Sequence, residues 1–407
     1  MQICLPKLKS PEKIVFTLLC GGLFLLSFIY WPRAVVAYEI PKVWFFKRFV
    51  EILFLSSFLF GIRQHKVRNT TLLVTSLGFL LFATFISLFG VDPNKSIVGN
   101  FYRWDGLITY YYFFGFALFI AYFTKVKWIG GVIVSISLSA FITSIAAVFT
   151  NLHNYYYGAS TPWENNADGI FFGNPNFLAG YLLITLPFVY YAGKNHLRRS
   201  LAAIVIVVQI AALTMTFSKT AILGIPLFML LELILNKKTR FKKFMVVFAA
   251  SILVIISLTI FVSWQTNLNP YTFTAESRQR IYTKAIIASA EKPLTGWGWA
   301  NFDKAFSETD WPIHVSDDSY VDKAHSAFLE VITTTGIVGG ILYVWVIVLV
   351  LLAIYKGKYH YSRMLLVALI LYIVHSQTNV LSISEEIVFW IILGMALKEN
   401  HKKLESK

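Results

Sequence analysis

Apolar runs of about 20 residues alternate with short polar segments along most of the 407-residue chain. Built as helix, runs of that length cross a hydrocarbon core of roughly 30 Å. Twelve are predicted, near 14–31, 44–62, 71–90, 107–124, 128–150, 176–193, 200–217, 220–236, 244–264, 327–355, 364–381 and 385–397. The alternation is interrupted once, by a polar, charged, tryptophan-bearing stretch at 265–326. The fold class read from this pattern is all-α: a polytopic membrane protein with about twelve transmembrane helices and a large loop. Residues 1–264 hold helices one to nine, 265–326 the loop, and 327–407 helices ten to twelve with a tail. The first run, from Ile14, lacks a small-residue cleavage site and reads as a retained helix rather than a signal peptide.

Composition agrees with a membrane solvent. Only 14% of residues are charged, against about a quarter in soluble domains. The net charge of +15 could suggest nucleic acid, but its distribution argues otherwise. Most Lys and Arg residues lie in alternate short segments at 7–13, 63–68, 125–127, 194–199, 237–243, 356–363 and 398–407. The positive-inside rule puts that set in the cytoplasm, with both termini. The basic excess is therefore topology, and no nucleic-acid motif is interleaved with it. Cys4 and Cys20 can form neither a disulfide framework nor a metal motif.

The remaining segments, at 32–43, 91–106, 151–175, 218–219, 265–326 and 382–384, face outward and are extracytoplasmic. They hold the unusual residues. Arg103 and Trp104 stand where a chain re-enters the membrane, as an interfacial anchor or a ligand contact. Asn174, Pro175 and Asn176 open a helix, either as a plain helix start or with free N–H groups that favour an anion. Ser218-Lys219 puts a cation at the outer end of two runs, either snorkelling to headgroups or facing a cavity. Residues 276–287 fit an amphipathic helix with Ile281, Ala285 and Ile286 on one side and Arg278 and Lys284 pointing elsewhere. Arg278 and Arg280 could clamp a phosphate, or rest on anionic headgroups. His325 begins a run about 45 Å long as helix, which must stand above the membrane or break near Thr335–Gly336. A histidine beside arginines in an outward loop suits a general base. His314, Asp317, Asp318 and Asp322 match no familiar metal spacing.

The order of these motifs resembles the O-antigen ligase and O-antigen polymerase-like family of bacterial membrane glycosyltransferases. The matching elements are Arg-Trp-Asp-Gly at 103–106, Gly-Asn-Pro-Asn-Phe-Leu-Ala-Gly at 173–180 and Ser-Lys at 218–219. They continue with Ser-Arg-x-x-x-Tyr and Pro-Leu-Thr-Gly-x-Gly-x-x-x-Phe within 277–302, then Ala-His-Ser-x-x-Leu-Glu and Thr-Gly-x-x-Gly within 324–339. Two departures stand out: Lys219 replaces the family's arginine, and Tyr282 stands where a tryptophan is usual.

The resemblance implies transfer of a glycan from an undecaprenyl-diphosphate carrier to an acceptor hydroxyl on the outer face of the bacterial cytoplasmic membrane. It implies no cofactor and no metal. His325 and Arg278 then match the catalytic roles, with Arg280, Lys219, Arg103, Asn174 and Asn176 as substrate-binding candidates. The partners are the lipid-linked glycan, a glycan, lipid or protein acceptor, and the bilayer. Elementary chemistry fits: fixed cations stabilise a departing diphosphate, and a neutral imidazole takes the acceptor's proton. The alternatives are a polymerase of lipid-linked repeat units or a protein O-oligosaccharyltransferase and, more remotely, a transporter or flippase. Glu232 is the main buried candidate for transport.

Overall fold

Helix ends in this chain are written by their caps. Asn69 accepts from Leu72 N at 3.1 Å, Asp92 from Lys95 N at 3.0 Å, Asn174 from Asn176 N at 2.7 Å and Ser326 from Leu329 N at 3.4 Å. Each short polar side chain occupies an N–H that the first turn leaves without a partner. A computed structural model describes residues 10–34, 36–62, 64–157, 169–235, 278–310, 320–357 and 359–398. Among these the α-helices are α1 (Ser10–Leu25), α2 (Glu39–Leu59), α3 (Thr70–Ser87), α4 (Pro93–Val98), α5 (Leu107–Phe123), α6 (Ile129–Tyr157) and α7 (Pro175–His196). Then follow α8 (Arg199–Met215), α9 (Lys219–Leu235), α10 (Arg278–Glu291), α11 (Phe302–Glu308), α12 (Ala327–Lys356), α13 (Ser362–Ser376) and α14 (Ile383–Lys398). No strand occurs among the described residues.

A helix lies over every predicted run except 244–264, which falls outside the described residues together with 265–277. Among the described residues, five stretches are long and apolar enough to cross a membrane: Pro11–Phe28, Thr70–Ser87, Val126–Tyr157, Pro175–His196 and Ala327–Lys356. Leu107–Phe123, Ser200–Met215 and Ser362–Ser376 are shorter apolar helices. The protein is an all-α polytopic membrane protein. α6 extends to Tyr157, past the predicted end at 150, so part of the expected outward segment is helical.

Two apolar cores hold the bundle. In one, α14 packs on α5 and α12 on α3, with Phe113 stacked on Trp390 at 5.9 Å. In the other, α7 is flanked by α6, α8 and α13. Lipid tails are as apolar as these side chains, so close packing rather than escape from water holds such helices together. Charged groups collect at both ends. At one, Glu12 meets Lys125 at 2.5 Å and Lys127 at 3.5 Å, and Arg363 meets Glu232 at 3.1 Å. Glu232 is thus ion-paired near the end of α9. The other end, where α3, α8 and α13 finish and α2, α7, α9, α12 and α14 begin, holds the outward motifs.

α12 breaks where its sequence allows. Gly336 has φ 72° and ψ −178°, far from helical values. A break inside a membrane helix strands backbone groups, and each must find a partner within the protein. Residues 293–298 supply them. Trp297 N donates to Thr333 O at 3.0 Å, Gly298 N to Thr334 O at 2.8 Å, and Ile337 N to Pro293 O at 2.8 Å. The fit is tight, because a Cβ on Gly336 would lie 2.5 Å from Leu294 O.

α10 corrects the amphipathic reading. Ile281 and Ala285 are buried, but Ile286 is exposed and Lys284 is buried. The inward face follows positions 280, 281, 284, 285 and 288, a spacing of three and four residues. Lys284 and Arg280 can join it because both cations lie over the Phe306 ring, at 4.4 and 5.1 Å. The aromatic face offsets part of the cost of removing them from water.

Gly336→Ala is expected to destabilise the protein by about 1–3 kcal/mol through backbone strain alone. Gly78→Ala, with nothing within 4 Å of its new methyl group, is expected to be near neutral. Thermal unfolding of the two variants in the same detergent measures the difference.

Candidate active site

Five non-glycine residues have positive φ among the described residues: Trp104, Ile170, Phe217, Ala300 and His325. Each lies within or beside a motif picked out from the sequence. Such conformations cost on the order of 1–3 kcal/mol each, and they persist where the surroundings dictate them. Two of them, Ala300 and His325, line one cavity, and Trp104 stands between two of its lining residues, Arg103 and Asp105.

The cavity measures about 120 Å³ and is lined by parts of the chain far apart in sequence. Its wall is aromatic, with Tyr110, Phe113, Trp299, Tyr343, Tyr372 and Trp390. Its rim is polar, with Glu39, Arg103, Asp105, Lys323, His325, Ser326 and Asn379. Trp299 links wall and rim, donating from Nε1 to Asp105 O at 3.0 Å, while its backbone N donates to Ser87 Oγ at 2.9 Å.

Two of the rim cations are neutralised by carboxylates. Arg103 Nε donates to Asp322 Oδ2 at 2.5 Å, and its guanidinium lies 5.3 Å from the Phe177 ring centre. Lys323 Nζ stands 2.5 Å from Asp105 and 3.1 Å from Glu330. Burial works against all of these charges. It pushes the Asp105 carboxyl up and Lys323 down, but their mutual attraction outweighs it. Asp105 therefore ends below the usual carboxylate value and Lys323 above the usual lysine value. Arg103 is likewise held charged against its burial by Asp322 and Asp105.

Arg278 is different. It is exposed at the first turn of α10, and Nη2 donates to the neutral Asn379 Oδ1 at 3.2 Å. Tyr282, one turn on, directs its hydroxyl at His325 O and Gln377 O, at 3.3 and 3.4 Å. That one residue ties α10 to the start of α12 and the end of α13. Ser326 Oγ donates to Gln377 Oε1 at 3.1 Å on the same seam.

The His325 ring has a defined tautomer. Nδ1 lies 3.1 Å from Lys323 O. A carbonyl only accepts, so Nδ1 carries the proton and Nε2 presents a lone pair. Burial lowers the pKa of His325 below the usual 6.5, and the Arg278 charge lowers it further. The Lys323 carbonyl and Asp322 oppose this only in part. A neutral imidazole with a free lone pair near neutral pH is able to accept a proton.

The structure thus brings Arg278, Arg103 and His325 to one site. Lys219 is exposed at the start of α9, and its neighbour Thr220 accepts from Asn379 Nδ2 at 3.0 Å, so that turn reaches the same rim. Asn174 and Asn176 open α7 beside Phe177, the ring under Arg103, but do not line the cavity. Arg280 is turned away: it is buried, with its guanidinium over Phe306. His314, Asp317 and Asp318 lie outside the described residues, and Asp322 is taken by Arg103. Among the described residues no group of three His, Cys, Asp or Glu side chains is placed to hold a metal ion.

Sequence reasoning passed over the segment His375-Ser-Gln-Thr-Asn379 and the pair Glu385-Glu386. Asn379, Gln377 and Glu386 all contribute to the cavity or its seams. The available signal was polar residues closing one apolar run and opening the next, which are costly near lipid and need partners.

His325 is expected to titrate below 6.5. Arg278→Gln should raise that value and Asp322→Asn should lower it, because one removes a repelling charge and the other an attracting one. Histidine-labelled NMR in nanodiscs, with His325→Gln to assign the resonance, measures all three.

No curated protein matches the chain. Residues 202–344, from α8 into α12, match the model of the family described as O-Antigen ligase. That stretch contains Lys219, Arg278, Arg280 and His325. Over those residues the chain is similar to the O-antigen ligase family, in keeping with the motif order and the membrane-spanning helices.

Proposed function

We propose that the protein transfers a glycan from a polyprenyl-diphosphate carrier, undecaprenyl diphosphate in bacteria, to an acceptor hydroxyl. The reaction takes place at the extracytoplasmic face of the cytoplasmic membrane. The observation that carries this reading is a neutral His325 in the cavity lining beside Asn379, a second lining residue to which the exposed Arg278 is bonded. In the reaction the anomeric C–O bond to the diphosphate breaks and a C–O bond to the acceptor oxygen forms. The electron pair of the broken bond leaves with the diphosphate. Arg278, with Lys219 at the next turn, meets the growing negative charge, and Nε2 of His325 receives the hydroxyl proton.

The environment favours this division. The aromatic wall keeps water scarce beneath His325, which strengthens each electrostatic contact at the reacting atoms. Arg103 and Lys323 hold the rim together through their carboxylates and fix the positions of Phe177 and Glu330. The acceptor, whether glycan, lipid or protein, sets the product, and product analysis assigns it: ladders of repeats for a polymerase, one transferred block for a ligase.

Reconstituted protein is expected to transfer glycan from a synthetic polyprenyl-diphosphate donor, equally with and without EDTA. His325→Ala should lower the rate by about 10²–10⁴-fold, and Arg278→Ala by about 10²–10³-fold, with thermal unfolding unchanged. The acid limb of the rate should fall below pH 6.5, since only neutral His325 is active and its pKa is lowered. Normal transfer by folded His325→Ala protein would overturn the proposal.

A further inference from the structure

We propose that a buried pair, His375 and Glu385, acts through Asn379 as a positioning device that aims Arg278 at the diphosphate. The proposal deepens the function proposed above and rests on it.

The pair is deeply set: both side chains are 0% exposed, with His375 Nε2 3.0 Å from Glu385 Oε1. The Glu385 carboxylate is anchored at its other oxygen, where Oε2 accepts from Ser382 N at 2.7 Å. α7 leaves room for the pair only because residue 180 is glycine. A Cβ there would lie 1.8 Å from Glu385 Oε1 and 2.4 Å from His375 Nε2. This gives the last residue of the 173–180 motif a purpose that the anion-binding reading of the α7 start does not supply.

Burying a histidine and a carboxylate is costly, and an apolar pair of similar size would pack as well. What the pair adds is orientation. His375 Nδ1 lies 3.4 Å from Asn379 Nδ2, one helical turn later. An amide nitrogen only donates, so Nδ1 must accept and the ring proton must sit on Nε2. The Glu385 carboxylate lies 3.0 Å from Nε2, off the line of a hydrogen bond, and its charge favours the proton on that nitrogen. With Nδ2 pointing at His375, and also at Thr220 Oγ1 at 3.0 Å, the amide oxygen of Asn379 is left facing Arg278 Nη2 at 3.2 Å. The opposite amide orientation would set donor against donor. One buried carboxylate therefore favours a ring tautomer, the tautomer favours one orientation of the amide, and the amide offers an acceptor to an exposed guanidinium that also meets the Tyr282 hydroxyl.

None of these groups touches the reacting atoms in this scheme. Their effect should be on binding of the diphosphate and should vanish when Arg278 is absent. The test is a double-mutant cycle in the full-length protein in nanodiscs, with inorganic diphosphate and a short-chain polyprenyl diphosphate as probes. Asn379→Leu and Glu385→Gln are each made alone and in the Arg278→Ala background, so that a variant lost to misfolding leaves the other. Alone, each is expected to weaken diphosphate binding by about 10-fold, the scale of one charge-assisted hydrogen bond. In the Arg278→Ala background each should weaken it less than about 2-fold. Equal losses in both backgrounds, or no loss in the intact one, would overturn the positioning role. If Arg278→Ala itself binds diphosphate normally, the functional reading fails first, and the two failures are distinguishable.

Discussion

The arrangement depends on a break in a membrane helix that is repaired from outside the helix. At Gly336 the α12 backbone leaves helical geometry, and residues 293–298 take over its hydrogen bonds. In a medium with no water to offer, an open break would leave polar groups unsatisfied at several kcal/mol each. The repair therefore locks a polar segment to the bundle in a single register. Everything nearer the cavity follows from that register. Trp299 is carried to Asp105, α11 to the cations of α10, and α10 to the start of α12. Arg278 and His325 are 47 positions apart in the chain, and this lock is what makes them neighbours.

Charge compensation then sorts the cations. A charge removed from water persists only beside a partner. Arg103 and Lys323 have carboxylates within 2.5 Å, so their charges are spent on holding the rim. Arg280 and Lys284 rest on Phe306 and brace α10. Arg278 is exposed and bonded to a neutral amide, and Lys219 is exposed on an adjoining turn. A dianionic ligand would gain most from cations whose field is not already cancelled, which ranks Arg278 above Arg103 although only Arg103 lines the cavity itself.

The helices were legible because their apolar runs match the thickness of a bilayer. The break in α12 was legible only as one of two outcomes, since a run of 30 residues exceeds that thickness and must either stand above the membrane or break near Thr335–Gly336. The polarity of α10 was not: Lys284 reads as a surface residue until Phe306 is brought beneath it by tertiary packing. The site was half visible. His325 and Arg278 announce themselves as charged or titratable groups outside the apolar runs. Asn379 and Glu385 do not, because a polar residue at the edge of a run resembles an ordinary boundary. Their meaning comes from partners on α7, α9 and α10, which no local pattern records.

His325 itself shows how backbone and side chain serve one purpose. Its φ of 54° lies in the left-handed region, which non-glycine residues uncommonly occupy, yet it turns the chain so that Nδ1 meets the carbonyl two residues back. A relaxed backbone at this position would start α12 earlier and carry the ring along the helix face. The strained turn, held by Ser326 as a cap and Tyr282 on the His325 carbonyl, keeps the ring off the helix and its lone pair available. The cost of about 1 kcal/mol or more would be small beside the advantage, in the proposed reaction, of a base whose tautomer is set before substrate arrives. The same logic recurs at His375, where a carboxylate rather than a carbonyl chooses the opposite ring nitrogen for the proton. In the proposed scheme two histidines with opposite tautomers would give the site a fixed acceptor for a proton and a fixed acceptor for a guanidinium.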